Sequence, residues 1–229
     1  MMTSDTSTRR EQPTLVEAAR REQIVKGTIA AVNELGYHRA SLSEIARRAG
    51  VAKSALVYYF GSREALLMSV IDQIFTQLDD DIEAAVAEHS APVDRLNAYA
   101  RAYTHHVHTH RQEMAAGIEI VLSHRDEKGT PLYLIVGEDD RRLLSGILEE
   151  GIEKGDFRGI PLPVATVMVE GLIDLVITEI QRDADADLTP LAEEIMPFIL
   201  RGLGADPHPG TAPGKEELPR LDSNQQPAG

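Results

Sequence analysis

Two groups of side chains stand out for the chemistry that their types and spacing permit. The first lies between Lys53 and Arg63. Lys53, Ser54, Tyr58 and Tyr59 put an ammonium, a hydroxyl and two phenols within two turns of helix, donors of the kind that meet phosphate oxygens and base edges. Aromatic residues are scarce, with 6 Tyr, 4 Phe and no Trp, yet three stand together at Tyr58-Tyr59-Phe60. The second group is a histidine run in which His105, His106, His108 and His110 fall within one helical stretch. His106 and His110 have the i, i+4 spacing that lets two imidazoles share a metal ion, with His124 or Glu119 as a third ligand from the next helix. The competing account of the run is a wet surface or a satisfied core, because alternate histidines on a helix face different ways.

Catalytic chemistry finds little to work with. The absence of cysteine excludes a thiol nucleophile, a Cys-ligated zinc site and an iron–sulfur cluster. No Gly-rich phosphate loop, G-x-S-x-G elbow or H-E-x-x-H motif occurs, so an enzyme is not expected and no cofactor is implied. The charge is unevenly placed. Between Arg9 and Ala65 ten basic residues face six acidic ones, a net +4, which leaves −18 on the rest of a chain whose total is −14. Such asymmetry suggests one polyanion-facing module on an acidic body. A short basic head binds DNA well at physiological salt only if docking geometry adds to charge.

These residues must be positioned by helices. A composition of 42% hydrophobic and 26% charged residues is that of a globular protein. Residues Leu15 to Leu35 carry a helical apolar pattern ended by Gly36 as a left-handed C-terminal residue, and Ser41-Leu-Ser-Glu44 has capping-box spacing ahead of a short helix stopped by Gly50. A third helix is expected over Lys53–Phe60, and Ser62 caps a fourth running toward Ala87. Further helices are expected over Val93–His110, over Gln112–Arg125, from Pro131 to Lys154, over Val164–Arg182, and from Thr189-Pro190 to Leu203. No alternating strand pattern appears, so the fold class is all-α. The expected organisation is a flexible basic arm over residues 1–14, a DNA-binding unit over 15–67, a helical body over 68–203, and a Pro/Gly-rich disordered tail over 204–229. The most apolar stretch, Val164–Ile180, is interrupted by Glu170 and Asp174, and the N-terminus lacks an apolar signal core. No membrane span is expected, and the expected compartment is the cytoplasm.

The two short helices joined by Gly50-Val51 have helix-turn-helix dimensions, with Ala46 and Gly50 as the small residues at the crossing and turn, and Val51 and Leu56 as core anchors. The run ASLSEIARRAGVAKSALVYYFGSREALL, with the preceding REQIVKGTIAAVNELGYHRA, closely resembles the DNA-binding head of the TetR family of bacterial repressors. The family's marks appear in order: Ala49-Gly50-Val51, Lys53, Tyr59-Phe60, Ser62 and Arg63-Glu64. The resemblance implies that Ser41, with Ser43 beside it, meets a phosphate at the start of the second helix. It implies base contact for Lys53, Ser54 and Ala55, backbone contact for Tyr58 and Tyr59, and a phosphate for Arg63 in place of the common Lys. Two departures matter. Ala52 stands where a Ser or Thr cap is usual, and Val57 stands where a Tyr is common.

Beyond Leu67 the resemblance thins, and implies a helical ligand-binding and dimerisation domain. The expected dimer face comprises Val164, Val167, Gly171 and Leu175 with Leu191, Ile195 and Phe198, intramolecular core being the alternative for each. The expected wall of an effector pocket is Tyr99, Tyr103, His106 and Met114, reaching Met168 and Leu172. Glu170, Asp174 and Thr178 form a polar stripe whose partners are Arg141 or Arg142, a second subunit, or a cationic ligand. The function implied is a homodimeric repressor that binds palindromic half-sites of double-stranded operator DNA and is released by a small-molecule effector. The alternatives are a metal-responsive repressor using the His cluster, and a helical metalloenzyme with a vestigial head.

Overall fold

A computed structural model describes residues 14–134 and 141–205. Among the described residues the chain forms α1 (Leu15–Leu35), α2 (Leu42–Ala49), α3 (Lys53–Phe60), α4 (Arg63–Ala87), α5 (Pro92–Thr109), α6 (Arg111–Ser123), α7 (Arg142–Lys154), α8 (Leu162–Ile173), α9 (Leu175–Arg182) and α10 (Thr189–Leu203). Single 3-10 turns sit at Tyr37–Arg39 and Leu132–Leu134, and no strand is present beyond one isolated bridge between Arg125 and Pro131. No described helix is long and apolar enough to cross a membrane. The expected N-terminal arm and Pro/Gly-rich tail lie outside the described residues, save for Thr14, Gly204 and Ala205.

Local signals account for most boundaries. The Ser62 hydroxyl accepts the Ala65 N–H at 3.0 Å and opens α4, Gly50 ends α2 in the left-handed region, and Pro92 opens α5. Gly36 ends α1 at positive φ (78°), but with ψ 161° rather than in the left-handed helical well. The capping box expected at Ser41 is half made. Its hydroxyl accepts the Glu44 N–H at 3.3 Å, while the Glu44 carboxylate turns instead to Arg47 and Arg48. A complete box stands at Thr14 and Glu17.

Two expected helices are corrected. The stretch from Pro131 opens only with the turn Leu132–Leu134, residues 135–140 lie outside the described residues, and the helix is described from Arg142. Val164–Arg182 is interrupted at Asp174, where the Ile177 N–H bonds the Asp174 carbonyl three residues back at 3.0 Å, a tighter turn than the α-helical one.

In the head, α1 crosses α2, and these two helices with α3 and the start of α4 bury Ile24, Val25, Ile29, Val32, Ile45, Leu56, Leu66 and Leu67. The body buries Ile82, Leu96, Met114, Ile120, Leu144, Ile147, Leu148, Ile173 and Ile177, continuous with the head's core. The closest approach in the head is at Gly27, where an added Cβ would lie 2.6 Å from the Ala49 Cβ and 2.7 Å from its backbone nitrogen. Backbone cannot yield as a flexible side chain can. Gly27→Ala is therefore expected to force α1 from α2 and cost about 1–3 kcal/mol, the usual penalty of overpacking. A fall in the urea midpoint at unchanged m-value measures it; an unshifted midpoint would mean the crossing is looser than described.

Candidate functional site

The recognition surface begins with how little holds α3. Leu56 is its one buried residue, and Ala52 ahead of it supplies no side-chain cap. The helix is fastened from α1. Gln23 Nε2 donates to the Ala49 carbonyl at 2.6 Å, securing the turn between α2 and α3. The Arg21 guanidinium lies 5.1 Å from the Phe60 ring centre and 5.8 Å from that of Tyr59, securing the far end by cation–π contact. The outer face is left free: Lys53 and Ser54 are exposed, Val57 is 48% and Tyr58 77% exposed. Tyr58 stacks edge-on against Tyr59 at 5.0 Å, and no described residue hydrogen-bonds the Lys53 ammonium or the Ser54 or Tyr58 hydroxyl.

Ser41, the N-cap of α2, and Ser43, in its first turn, are exposed, and Ala55 and Tyr59 are half-buried. A shallow cleft beside α3 is lined by Gly50, Val51, Ala52, Ser54, Ala55, Tyr58, Tyr59 and by Arg20 of α1. Arg20 and Arg21 register in the sequence only as charge, because nothing local says which residues of α1 come to lie beside α3. Arg63, expected at a phosphate, is engaged within the head. Its guanidinium donates to the carbonyls of Ala40 (2.9 Å) and Tyr37 through Nε and Nη2, and lies 4.6 Å from the centre of the Tyr37 ring. Two carbonyls and an aromatic face thus hold this fork.

The body separates the residues expected around a pocket. Tyr103, half-buried on α5, donates to Asp174 Oδ1 at 2.5 Å, and Glu170 pairs with Arg141, one of the candidate partners of the polar stripe, at 2.9 Å. Burial of the phenol, then the Asp174 charge, lifts the Tyr103 pKa well above its ordinary value. Asp174 is exposed, yet desolvation raises the pKa of its carboxyl, opposed by the Tyr103 hydrogen bond. Tyr99 and Leu172 are half-buried, Met114 is fully buried in the core, and Met168 is 57% exposed. Met168 thus leaves the pocket wall: it is one residue from Val167 on the outward side of α8. A groove of about 1330 Å³ between α4, α5 and α10 is lined by Asp81, His105, His108, His110, Glu193 and others, and by none of those six.

The histidines do not converge on a cation. His106 is 2% exposed with Nδ1 at 2.6 Å from Asp81 Oδ2, and its ring stacks on His110 at 4.2 Å and 21°. Stacked faces cannot aim their nitrogens at a shared ion, and no group of three potential ligands lies close enough among the described residues. His124 and Glu119, the imagined third ligands, bond Tyr37 instead. Of the expected dimer face, Val164, Val167, Leu175 and Phe198 are exposed, and a Cβ at Gly171 would meet nothing within 4 Å. Leu191 is half-buried. Ile195 is corrected to the core, being 6% exposed and turned toward the groove.

Residues 24–70 match the sequence profile of the bacterial regulatory proteins of the tetR family. The chain is similar to the fatty acid metabolism regulator protein of Bacillus subtilis, 25% identical over 184 residues that make up 79% of this chain and 94% of that one. Its fold is similar to that of the fatty acid degradation regulator FadR of Bacillus halodurans, with a TM-score of 0.71 and 25% identity over 86% of this chain and 100% of that one. It is also similar to FadR of Bacillus subtilis solved in complex with stearoyl-CoA, with a TM-score of 0.68 and 25% identity over 79% and 98% of the two chains.

The different settings of Lys53 and Arg63 give opposite expectations. Lys53→Ala should weaken binding to DNA fragments and lower the salt slope by about one. Arg63→Lys should lower the thermal midpoint, because one ammonium cannot span two carbonyls, and leave the salt slope in place. A slope that falls for Arg63→Lys would return that residue to the DNA face.

Proposed function

We propose that the chain, whose residues 24–70 match the tetR-family profile, is a homodimeric repressor in which Lys53, Ser54, Ala55, Tyr58 and Tyr59 enter the major groove. The observation that carries this is the outer face of α3, with Tyr58 77% exposed and Lys53 without a partner among the described residues. Ser41 and Ser43 meet the backbone beside it. Residues 15–67 are the DNA-binding unit and 68–203 the ligand-binding and dimerisation unit, acting in the cytoplasm where the DNA is. The two heads take palindromic half-sites about 34 Å apart. The subunits join through Val164, Val167, Met168, Gly171, Leu175 and Phe198. Open space above Gly171, ringed by exposed apolar side chains, is what a partner helix requires.

The effector proposed is of the long-chain acyl-CoA class, on the similarity to a regulator solved with stearoyl-CoA along 98% of its length. Tyr99, Tyr103 and Leu172 form the proposed wall of its site. The groove between α4, α5 and α10 is the poorer place for it, because Asp81, Glu88, Asp94 and Glu193 would repel the phosphates.

DNA selected by the protein from genomic fragments supplies the operator for the test. Stearoyl-CoA should release it, free stearate or CoA should not, and Tyr103→Ala should bind the operator but resist release. Zinc, nickel or cobalt releasing the complex while stearoyl-CoA does not would overturn the effector assignment. Gly171→Arg should give monomers by sedimentation at micromolar concentration; intact dimers would move the interface elsewhere.

A further inference from the structure

Tyr37 occupies the 3-10 turn between α1 and α2, four residues ahead of Ser41, which caps α2. Its backbone N–H donates to Glu119 Oε1 at 3.1 Å, and its hydroxyl lies 2.8 Å from His124 Nδ1. Its carbonyl accepts from the Arg63 guanidinium, which also covers its ring. The His38 ring stands edge-on to it at 5.1 Å. Glu119 lies in the C-terminal part of α6 and His124 is that helix's C-cap. At the other end of α6, Asn33 Nδ2 of α1 donates to the Gln112 carbonyl at 2.9 Å. Both ends of one body helix are thereby tied to the head, and the tie nearest the helix-turn-helix passes through a single residue, Tyr37, by its backbone N–H and its hydroxyl.

The hydroxyl is the informative atom. Tyr37 is 9% exposed, so its ring is core, and a Phe would fill the same space. Placing a polar phenol there is favourable because His124 satisfies it from the body. His124 is in turn held by the backbone, its N–H donating to the Ile120 carbonyl at 2.8 Å and its carbonyl accepting the Leu132 N–H at 3.0 Å. A shift of α6 is passed to the turn that leads into α2 without crossing solvent.

From this we infer that Tyr37 is a positioning residue for DNA binding: its bonds to His124 and Glu119 hold the head in the orientation that the operator requires. Neither Tyr37 nor His124 belongs to the exposed face of α3, so their contribution comes through α2 and α3 rather than through contact with DNA. The inference rests on the DNA-binding reading and not on the identity of the effector.

A double-mutant cycle on operator affinity tests it, using the full-length protein, the selected operator fragment, and active fractions titrated first. Tyr37→Phe and His124→Ala should each weaken the operator complex about three- to ten-fold, the range one intramolecular hydrogen bond spans. The double variant should be no weaker than either single one, since both remove the same bond. His124→Asn, whose side-chain amide comes close to the place of Nδ1, should restore most of the affinity. The salt slope should stay that of the wild type. Additive losses, unchanged affinity in both single variants, or a slope lowered by about one would each overturn the inference. Failure of the wild type to select any DNA would instead sink the DNA-binding reading.

Discussion

Helix α4 is the constraint on which the rest of the molecule depends. Its 25 residues extend about 37 Å, and its buried positions serve two parts of one continuous core in turn: Leu66, Leu67 and Val70 in the head, then Leu78, Ile82 and Val86 in the body. An uninterrupted helix without proline bends only gently. The tilt that the body imposes on the second half of α4 is therefore inherited by the first half, and with it by Arg63 and the turn that Arg63 clasps. Helix α6 packs against the middle of α4, with Gly117 facing Ile74 and Phe75, and at its end reaches the same turn through Glu119 and His124. Head and body are thus joined twice, once covalently and once by hydrogen bonds.

What was legible in the sequence is what local chemistry decides. Helix α2 begins and ends where Ser41 and Gly50 place it, and α4 begins at Ser62, because a cap joins residues three or four apart. The setting of Arg63 is not legible, for the opposite reason. Its partners are carbonyls 23 and 26 residues away, and a guanidinium carries no mark of whether a phosphate or a carbonyl will receive it. Met168 and Ile195 failed similarly. An apolar residue on a helix with more than one buried side is readable as buried somewhere, but which neighbour covers it depends on packing, and one residue along α8 turns the side chain by about 100°. The interruption at Asp174 had a polar residue as its only trace.

Charge is unevenly spread along the sequence, but most ion pairs do little to hold the fold. Lys26–Glu22, Arg182–Glu179 and Lys154–Glu150 are surface pairs within single helices, where water screening and the entropy of two long side chains offset most of the attraction. Arg48 is different in setting: its side chain is 9% exposed and is received by both Glu34 of α1 and Glu44 of α2, so it fixes the angle of α2 on α1. The acidic body then has a consequence for docking. Its negative charge opposes approach of DNA to any surface except the basic head, which favours the correct orientation before contact is made.

The sparse anchoring of α3 connects these points. A helix that leaves Lys53, Ser54, Val57 and Tyr58 exposed, as the proposed groove contact needs, cannot also bury them, and Leu56 is its one buried residue. Its position is consequently second-hand, set by Gln23 at one end and Arg21 at the other, and behind them by α1, α2 and the Tyr37 turn. Hydrogen bonds of this type contribute about 0.5–1.5 kcal/mol each. A coupling of about 1–3 kcal/mol, typical between two linked sites, is within reach of two or three of them. A ligand in the body therefore need not unfold or displace the head to lower its affinity for DNA. It has only to prefer an arrangement of α4 and α6 in which those few bonds are less well made.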